Sequence, residues 1–166
     1  FYSTKYPNMK NIHLHTNGML WNERNWNKIK LAQPFIKSAE ISIDAAKADT
    51  YHNVRKGGKW HLLLKNLEFI NTLTQIDTMI ISFVIQNDNY KEIVAFYQLM
   101  DSIFKNKNNI TFQYYKILNW GSLSDKDFKD KAVWHSDHPN YNDLVGQIKV
   151  LDSFNDSRVV HSLHGI

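Results

Sequence analysis

A hydroxyl, a carboxylate and a guanidinium stand close together in this sequence. Ser42 and Asp44 alternate with isoleucines in Ile41-Ser42-Ile43-Asp44, a pattern typical of a short half-buried strand. Arg55 follows after a turn and a short predicted helix, and the glycine pair Gly57-Gly58 comes next. Because ligands bind at the carboxyl ends of strands in parallel α/β proteins, we expect these polar groups to face one site. The alternative, in which they are capping residues and a surface arginine, is equally open at this point.

A histidine pair offers a second kind of chemistry. His13 and His15 alternate with Ile12 and Leu14, so both imidazoles should lie on one face of a first strand. This spacing suits a metal site like the one that holds zinc near the first strand of barrel hydrolases, which also need ligands from other strands. Candidates for those ligands, none at a diagnostic spacing, are Asp44, His135, His138, His161 and His164. Histidines that line a pocket or the core are the favoured interpretation.

Further polar side chains follow the longest apolar run of the chain. Gln86 and Asn87 stand at the carboxyl end of that predicted strand and are predicted pocket residues. Asn89 and Glu92 come slightly later and are predicted to be a helix cap and part of a helix surface. The sequence contains no glycine-rich phosphate loop and no Gly-x-Ser-x-Gly elbow, which argues against a serine hydrolase.

Two tryptophans, Trp120 and Trp134, are predicted to belong to the core rather than to stack on a ligand. They lie in the last third of the chain, where the hydrophobic pattern is looser. There the sequence predicts a helix that Ser124 caps, a second helix over 142–151 and a candidate last strand over 159–163.

Strands and helices that alternate along the chain must position these residues. Strands are predicted over 11–16, 39–44, 77–86 and 110–117, and helices over 21–32, 47–53, 60–73 and 90–104. Strands separated by helices require right-handed crossovers and a parallel sheet. The predicted fold is therefore α/β, a partial (β/α) barrel of about four parallel strands with helices on the outer face. The barrel part is assigned to residues 1–123, and residues 124–166 form an irregular extension towards a further domain.

Composition limits the classes of protein. The chain has 166 residues, suited to one domain, and its hydrophobic content of 43% excludes a disordered polymer. The formal charge of +4 comes from scattered lysines, which argues against nucleic acid, and no apolar run approaches the roughly 20 residues that span a bilayer. With no cysteine the chain can form neither a disulfide nor a thiolate-held iron–sulfur cluster, which is compatible with a cytoplasmic location. The start at Phe1 suggests a fragment of a longer protein.

Taken in order, these segments resemble the radical S-adenosylmethionine (radical SAM) family, in its branch with a C-terminal SPASM or twitch extension. The similarity covers nearly the whole chain. The matching segments are His13-Leu14-His15-Thr16-Asn17-Gly18, Ile41-Ser42-Ile43-Asp44, Thr50-Tyr51, Arg55-Lys56-Gly57-Gly58-Lys59-Trp60, Phe83-Val84-Ile85-Gln86, Ile117-Leu118-Asn119-Trp120-Gly121 and His138-Pro139.

The resemblance implies roles for individual residues. Ser42 would contact the ribose or methionyl part of S-adenosylmethionine, and Arg55 would pair with the methionine carboxylate as a fork-shaped donor. A residue between Tyr115 and Ile117 would flank the adenine. The residues expected to line the cofactor or substrate cavity are Asp44, Asn17 and Gln86.

The resemblance also implies what this chain lacks. Family enzymes hold a 4Fe–4S cluster through a Cys-x3-Cys-x2-Cys loop, and the cluster and S-adenosylmethionine together generate a 5′-deoxyadenosyl radical. Without cysteine, this chain is expected to carry no cluster and to be inactive alone. It would correspond to barrel strands 3–6, cut from the cluster-binding segment.

We expect two kinds of partner for this chain, and two functions stand as alternatives to a radical SAM fragment. Open sheet edges would pair with the missing cluster-binding segment or with a second copy of the chain. The alternatives are a non-catalytic module that binds S-adenosylmethionine or a nucleotide, and a metal-dependent hydrolase that uses His13 and His15. The sequence leaves the substrate open.

Overall fold

A computed structural model provides the structure of the protein and describes residues 10–163. Its centre is a five-stranded sheet in which all neighbouring strands are parallel. The strands follow chain order across the sheet: β1 (Ile12–Thr16), β2 (Ile36–Ser42), β3 (Thr78–Ile85), β4 (Ile110–Lys116) and β5 (Val159–His161).

Helices connect the strands. Within the described residues they are α1 (Glu23–Lys28), α2 (Ala48–Val54), α3 (Trp60–Asn71), α4 (Ile93–Phe104), α5 (Asp125–Lys131) and α6 (Tyr141–Ser153), with short 3₁₀ turns at Gln33–Phe35 and Tyr90–Glu92. Residues at helical spacing, such as Leu63, Leu67 and Ile70 of α3, are fully buried. No helix in residues 10–163 has the length and apolar character needed to cross a membrane.

The two faces of the sheet differ sharply. Because strand order follows chain order and parallel crossovers are right-handed, successive connections fall on the same face. On this covered face, Ile41, Ile81 and Phe112 are fully buried and share one core with Leu67 and Phe96 of the helices. The residues that alternate with them point to the open face, where most are exposed or half-buried. The open face is the side on which a ligand can reach the sheet.

The predicted α/β class with parallel strands is confirmed. The four predicted strands are present with shifted ends, and the candidate last strand over 159–163 is present as the shorter β5, which pairs with β4. Ile12 and Leu14 of β1 are half-buried, and His13 and His15 lie on the opposite face, as their alternation predicted; both histidines are exposed. The first helix is shorter than the predicted span of 21–32. The side chain of Asn22 caps its start, and after Lys28 the chain continues in turns to the 3₁₀ turn at Gln33–Phe35.

The chain after residue 123 joins the same core. Ser124 caps α5, as predicted, because its hydroxyl accepts a hydrogen bond from the backbone N–H of Asp127 at 3.1 Å. Leu144 and Leu151 of α6 are buried in the core that the sheet forms, and β5 extends that sheet. A boundary at residue 123, with a further domain beyond it, stays a prediction.

Candidate functional site

A large cavity lies on the open face, towards the carboxyl ends of the strands. Its volume is about 770 Å³, within the range of roughly 300–1,000 Å³ that small-molecule sites occupy. It is lined by His15, Glu40, Ser42, Ser82, Val84, Tyr115, Lys116, Ile117, Leu118, Trp120 and Ser162. Because the lining comes from all five strands or the loops after them, the sheet itself builds the site.

Strand register brings the polar side of this cavity together. Ser42 of β2 is the register partner of Ser82 on β3, and His15 of β1 is the partner of Glu40. Partners in a parallel pair point to the same face, so hydroxyl, carboxyl and imidazole groups from three strands lie side by side. We call Ser42, Ser82, His15 and Glu40 the polar floor of the cavity.

Hydrogen bonds link members of the polar floor. The Ser82 hydroxyl donates to Ser42 Oγ at 3.1 Å, and His15 Nε2 lies 3.4 Å from the same oxygen. Ser82 is only 1% exposed, whereas Ser42 is half-buried and faces the cavity. This chain of groups can donate to and accept from the hydroxyls of a ligand, and Ser42 and the exposed His15 are its accessible members.

The other side of the cavity is apolar. Ile117, Leu118 and Trp120 follow β4 and form what we call the apolar wall. Trp120 is 86% exposed, so its predicted place in the core is wrong. The reason is local: a short turn holds the residue away from the sheet, and no described helix packs over it. Trp134, by contrast, is half-buried and packs against the core, as predicted.

Tyr115 lies between the polar floor and the apolar wall of the cavity. Burial raises the pKa of the Tyr115 hydroxyl above its ordinary value, and the nearby charge of Glu40 adds to this rise. The Tyr115 hydroxyl therefore stays protonated at neutral pH and can donate a hydrogen bond. Because Tyr115 is the register partner of Val84 on β3, its ring borders the middle of the cavity.

Asp44 and Arg55 form an ion pair outside this cavity lining. Arg55 Nη2 lies 2.5 Å from Asp44 Oδ2, and the other carboxyl oxygen accepts a hydrogen bond from the backbone N–H of Val84 at 2.8 Å. Asp44 is only 5% exposed, and burial raises the pKa of its carboxyl although the charge of Arg55 opposes the rise. β2 ends at Ser42, and Asp44 has a φ of +65°, a conformation that ends the extended run before the chain continues into α2.

Two further residues, Glu92 and Asn89, stabilise the turn at Asp44 through hydrogen bonds. Glu92 accepts hydrogen bonds from the backbone N–H of Ala46 at 2.7 Å and from the Thr50 hydroxyl at 2.5 Å. Asn89 donates to the carbonyls of Asp44 and Val84 at 3.0 and 2.9 Å. Glu92 is buried, so its predicted place on a helix surface is wrong. Asn89 stands at the N-cap position of the 3₁₀ turn Tyr90–Glu92, as predicted, but its side chain makes no capping hydrogen bond there. Three of these four contacts join residues more than 40 positions apart, which local spacing could not reveal.

The predicted site residues thus fall into three groups. Ser42, Tyr115 and Ile117 line the cavity, whereas Asp44 and Arg55 pair with each other behind it. Asn17 and Gln86 follow β1 and β3 at the carboxyl edge, but neither lines the cavity. Lys116, which also lines the cavity, falls within the predicted segment from Tyr115 to Ile117. The lining residues that prediction missed are Glu40, Ser82, Val84, Leu118, Trp120 and Ser162.

A signal for part of the missed set was present in the sequence. Glu40 and Ser82 share the strand parity of Ser42, so they had to appear on the same face once the register was known. Trp120 carried no such signal, because it lies in a loop.

The histidines do not assemble a metal site within residues 10–163. No group of three or more His, Cys, Asp or Glu residues there is arranged to hold a metal ion. His13 Nδ1 lies 2.8 Å from Ser38 Oγ, His138 Nε2 lies 3.2 Å from the Asp130 carbonyl, and His161 Nε2 lies 2.8 Å from Asp152. His135 stacks on the ring of Trp134, and His164 lies outside the described residues.

Comparison with models of known protein families, with curated proteins and with solved structures found no match to this chain. The functional assignment therefore depends on the site itself and on the resemblance of its motifs.

Proposed function

We propose that this chain binds S-adenosylmethionine on the open face of its sheet, as one part of a radical SAM (β/α) barrel. The observation that carries the proposal is the cavity at the carboxyl ends of the strands, with a polar floor opposite an apolar wall. S-adenosylmethionine has matching parts: ribose hydroxyls, a planar adenine and a charged amino-acid end.

The cavity's residues fit the ligand part by part. Ser42 and Glu40 of the polar floor would bind the ribose hydroxyls, while Tyr115 and Ile117 would flank the adenine. For the carboxylate, the resemblance assigns Arg55, whose side chain is 30% exposed and whose buried Nε has no hydrogen-bond partner in the described structure. Its guanidinium is therefore not saturated by Asp44. Asn17, Gln86 and Asp44 would contribute at the edge of the same site.

The cluster of the family does not fit this chain. A thiolate-held cluster needs cysteines, and the sequence has none. In the proposed assembly the cluster belongs to another segment, and this chain alone performs no radical chemistry. A non-catalytic module that binds S-adenosylmethionine or a nucleotide is the second candidate, favoured by the same lack of cysteine.

The open sheet edges are the proposed contact with that segment. β1 and β5 are the outer strands of the described sheet, and each pairs with a single described strand. A cluster-binding segment, or a second copy of the chain, would pair with the outer edge of β1. Light scattering that shows only monomer at every concentration would count against self-association.

Titration calorimetry with S-adenosylmethionine tests the binding proposal. Ser42→Ala removes a cavity hydroxyl and should weaken Kd by about two- to tenfold, the loss expected for one hydrogen bond. Ser38→Ala is the matched control, because Ser38 lies on the same strand and face but towards the amino end, beside His13. No measurable binding to the unchanged chain, or an equal loss in both variants, would refute the proposed site.

A further inference from the structure

The most exposed large apolar side chain among the described residues is Trp120, at 86%. It stands at the rim of the cavity, whereas the polar floor includes Ser82, which is 1% exposed. An indole left in water on the edge of a cavity forgoes the burial that would stabilise the fold. Its position therefore suggests a contact that forms only when a ligand is present.

The loop that carries Trp120 is fixed at both ends. Asn119 Oδ1 accepts a hydrogen bond from the backbone N–H of Gly121 at 3.0 Å, and Asn119 Nδ2 donates to the Leu123 carbonyl at 3.1 Å. Gly121 has a φ of +84°, which a residue without Cβ adopts at little cost. On the other side, Trp134 Nε1 donates to the Ile117 carbonyl at 3.3 Å. These hydrogen bonds thus hold the backbone on both sides of Trp120 before any ligand arrives, while the indole itself stays exposed.

The surroundings of Trp120 favour a flat ring as its partner. Leu118, 54% exposed, and Ile117 continue the apolar surface from the indole into the cavity. The nearest lining cation, Lys116, has its ammonium 5.1 Å above the Trp134 ring instead. A ligand whose hydroxyls occupy the polar floor would therefore direct its apolar end towards Trp120.

We propose that Trp120 is a stacking platform for the base of a nucleoside ligand and sets the specificity of this cavity for such ligands. The proposal rests on the proposed function, because it places the adenine of S-adenosylmethionine against the indole. Any base can stack on an aromatic side chain, because every base has a flat face, and the stack contributes substantially to the binding free energy.

Binding of adenosine, S-adenosylmethionine and methionine by the chain tests this role. Trp120→Ala should weaken adenosine and S-adenosylmethionine by roughly 5- to 150-fold, the range that loss of one stacked base implies. Trp120→Phe keeps a smaller ring and should retain most of the affinity. Methionine has no ring, so its binding should not change. Leu20→Ala is the matched control, since Leu20 is 75% exposed but borders a different groove beside β1.

A second readout uses the indole itself. Adenosine should quench the fluorescence of the unchanged chain and leave that of Trp120→Phe nearly unaffected.

The outcomes separate the two proposals. Equal adenosine affinity in Trp120→Ala and the unchanged chain, with a loss in Ser42→Ala, would overturn the platform and keep the site. If adenosine binding depends on Trp120 but S-adenosylmethionine binds no more tightly than adenosine, the platform is supported and the assignment of S-adenosylmethionine as the cofactor is overturned. No binding of any nucleoside would overturn both.

Discussion

The covered and open faces of one sheet show how a single strand serves two purposes. Phe83 of β3 points into the core, where its ring centroid lies 4.8 Å from that of Phe96, and it is fully buried. Ser82, one residue earlier, points the other way and hydrogen-bonds to Ser42. Side chains alternate along a strand, so stability and binding are carried by neighbouring residues with little overlap. Substitutions on the two faces should therefore have different effects.

The largest effect should follow a change on the covered face. Phe83→Ala removes a ring packed between Phe96 and Tyr114, and we expect a loss of about 3–5 kcal/mol in the free energy of unfolding. Ser82→Ala, the matched change on the open face, should cost about 1 kcal/mol. Urea unfolding of both variants checks this difference. Similar losses in the two would mean that the faces are not divided as described.

A smaller loss of stability should follow from breaking the ion pair between Asp44 and Arg55. Arg55→Ala leaves the Asp44 carboxylate buried without its partner, which should cost about 3 kcal/mol near pH 8. Burial already raises the pKa of Asp44 above 3.8, and loss of Arg55 removes a cause that lowers it. When the pKa of a carboxyl is higher in the folded than in the unfolded state, the protein loses stability as the pH rises through the range between these two pKa values. The deficit of Arg55→Ala should thus be smaller near pH 4 than near pH 8.

Urea unfolding at both pH values measures this deficit. Arg55→Ala combined with Asp44→Asn is the control, because it removes the buried charge and should flatten the pH dependence. A deficit that is independent of pH in Arg55→Ala itself would contradict a buried, unpaired Asp44.

The smallest effect concerns the open face alone. The charge of Glu40 contributes to the raised pKa of Tyr115, so Glu40→Gln should move that pKa down towards 10. Carbon-13 NMR of labelled tyrosine rings can follow the titration of Tyr115, with Tyr115→Phe to assign the signal. An unchanged or higher pKa in Glu40→Gln would show that the two side chains do not interact across the cavity.

The order of strands and helices allowed the parallel sheet to be predicted. Alternation along β1 predicted that His13 and His15 would lie on one face, opposite Ile12 and Leu14. These patterns could not predict the pairing of Asp44 with Arg55, because Asp44 lies beyond β2 at a positive φ and its partners come from several segments. Glu92 reaches Ala46 across 46 residues, a contact that only the packed turns create. Trp120 was misplaced because an isolated tryptophan in a loop has no period from which its exposure could be read.

Chemical-shift mapping with S-adenosylmethionine tests the central claim, a cofactor site on the open face, most directly. The account predicts that added ligand shifts the backbone amide signals of Ser42, Tyr115, Ile117 and Trp120 as a saturable function of concentration. The signals of His13 and Ser38, at the amino end of the same face, should stay in place. Shifts confined to other regions, or no shifts at millimolar ligand, would contradict the account.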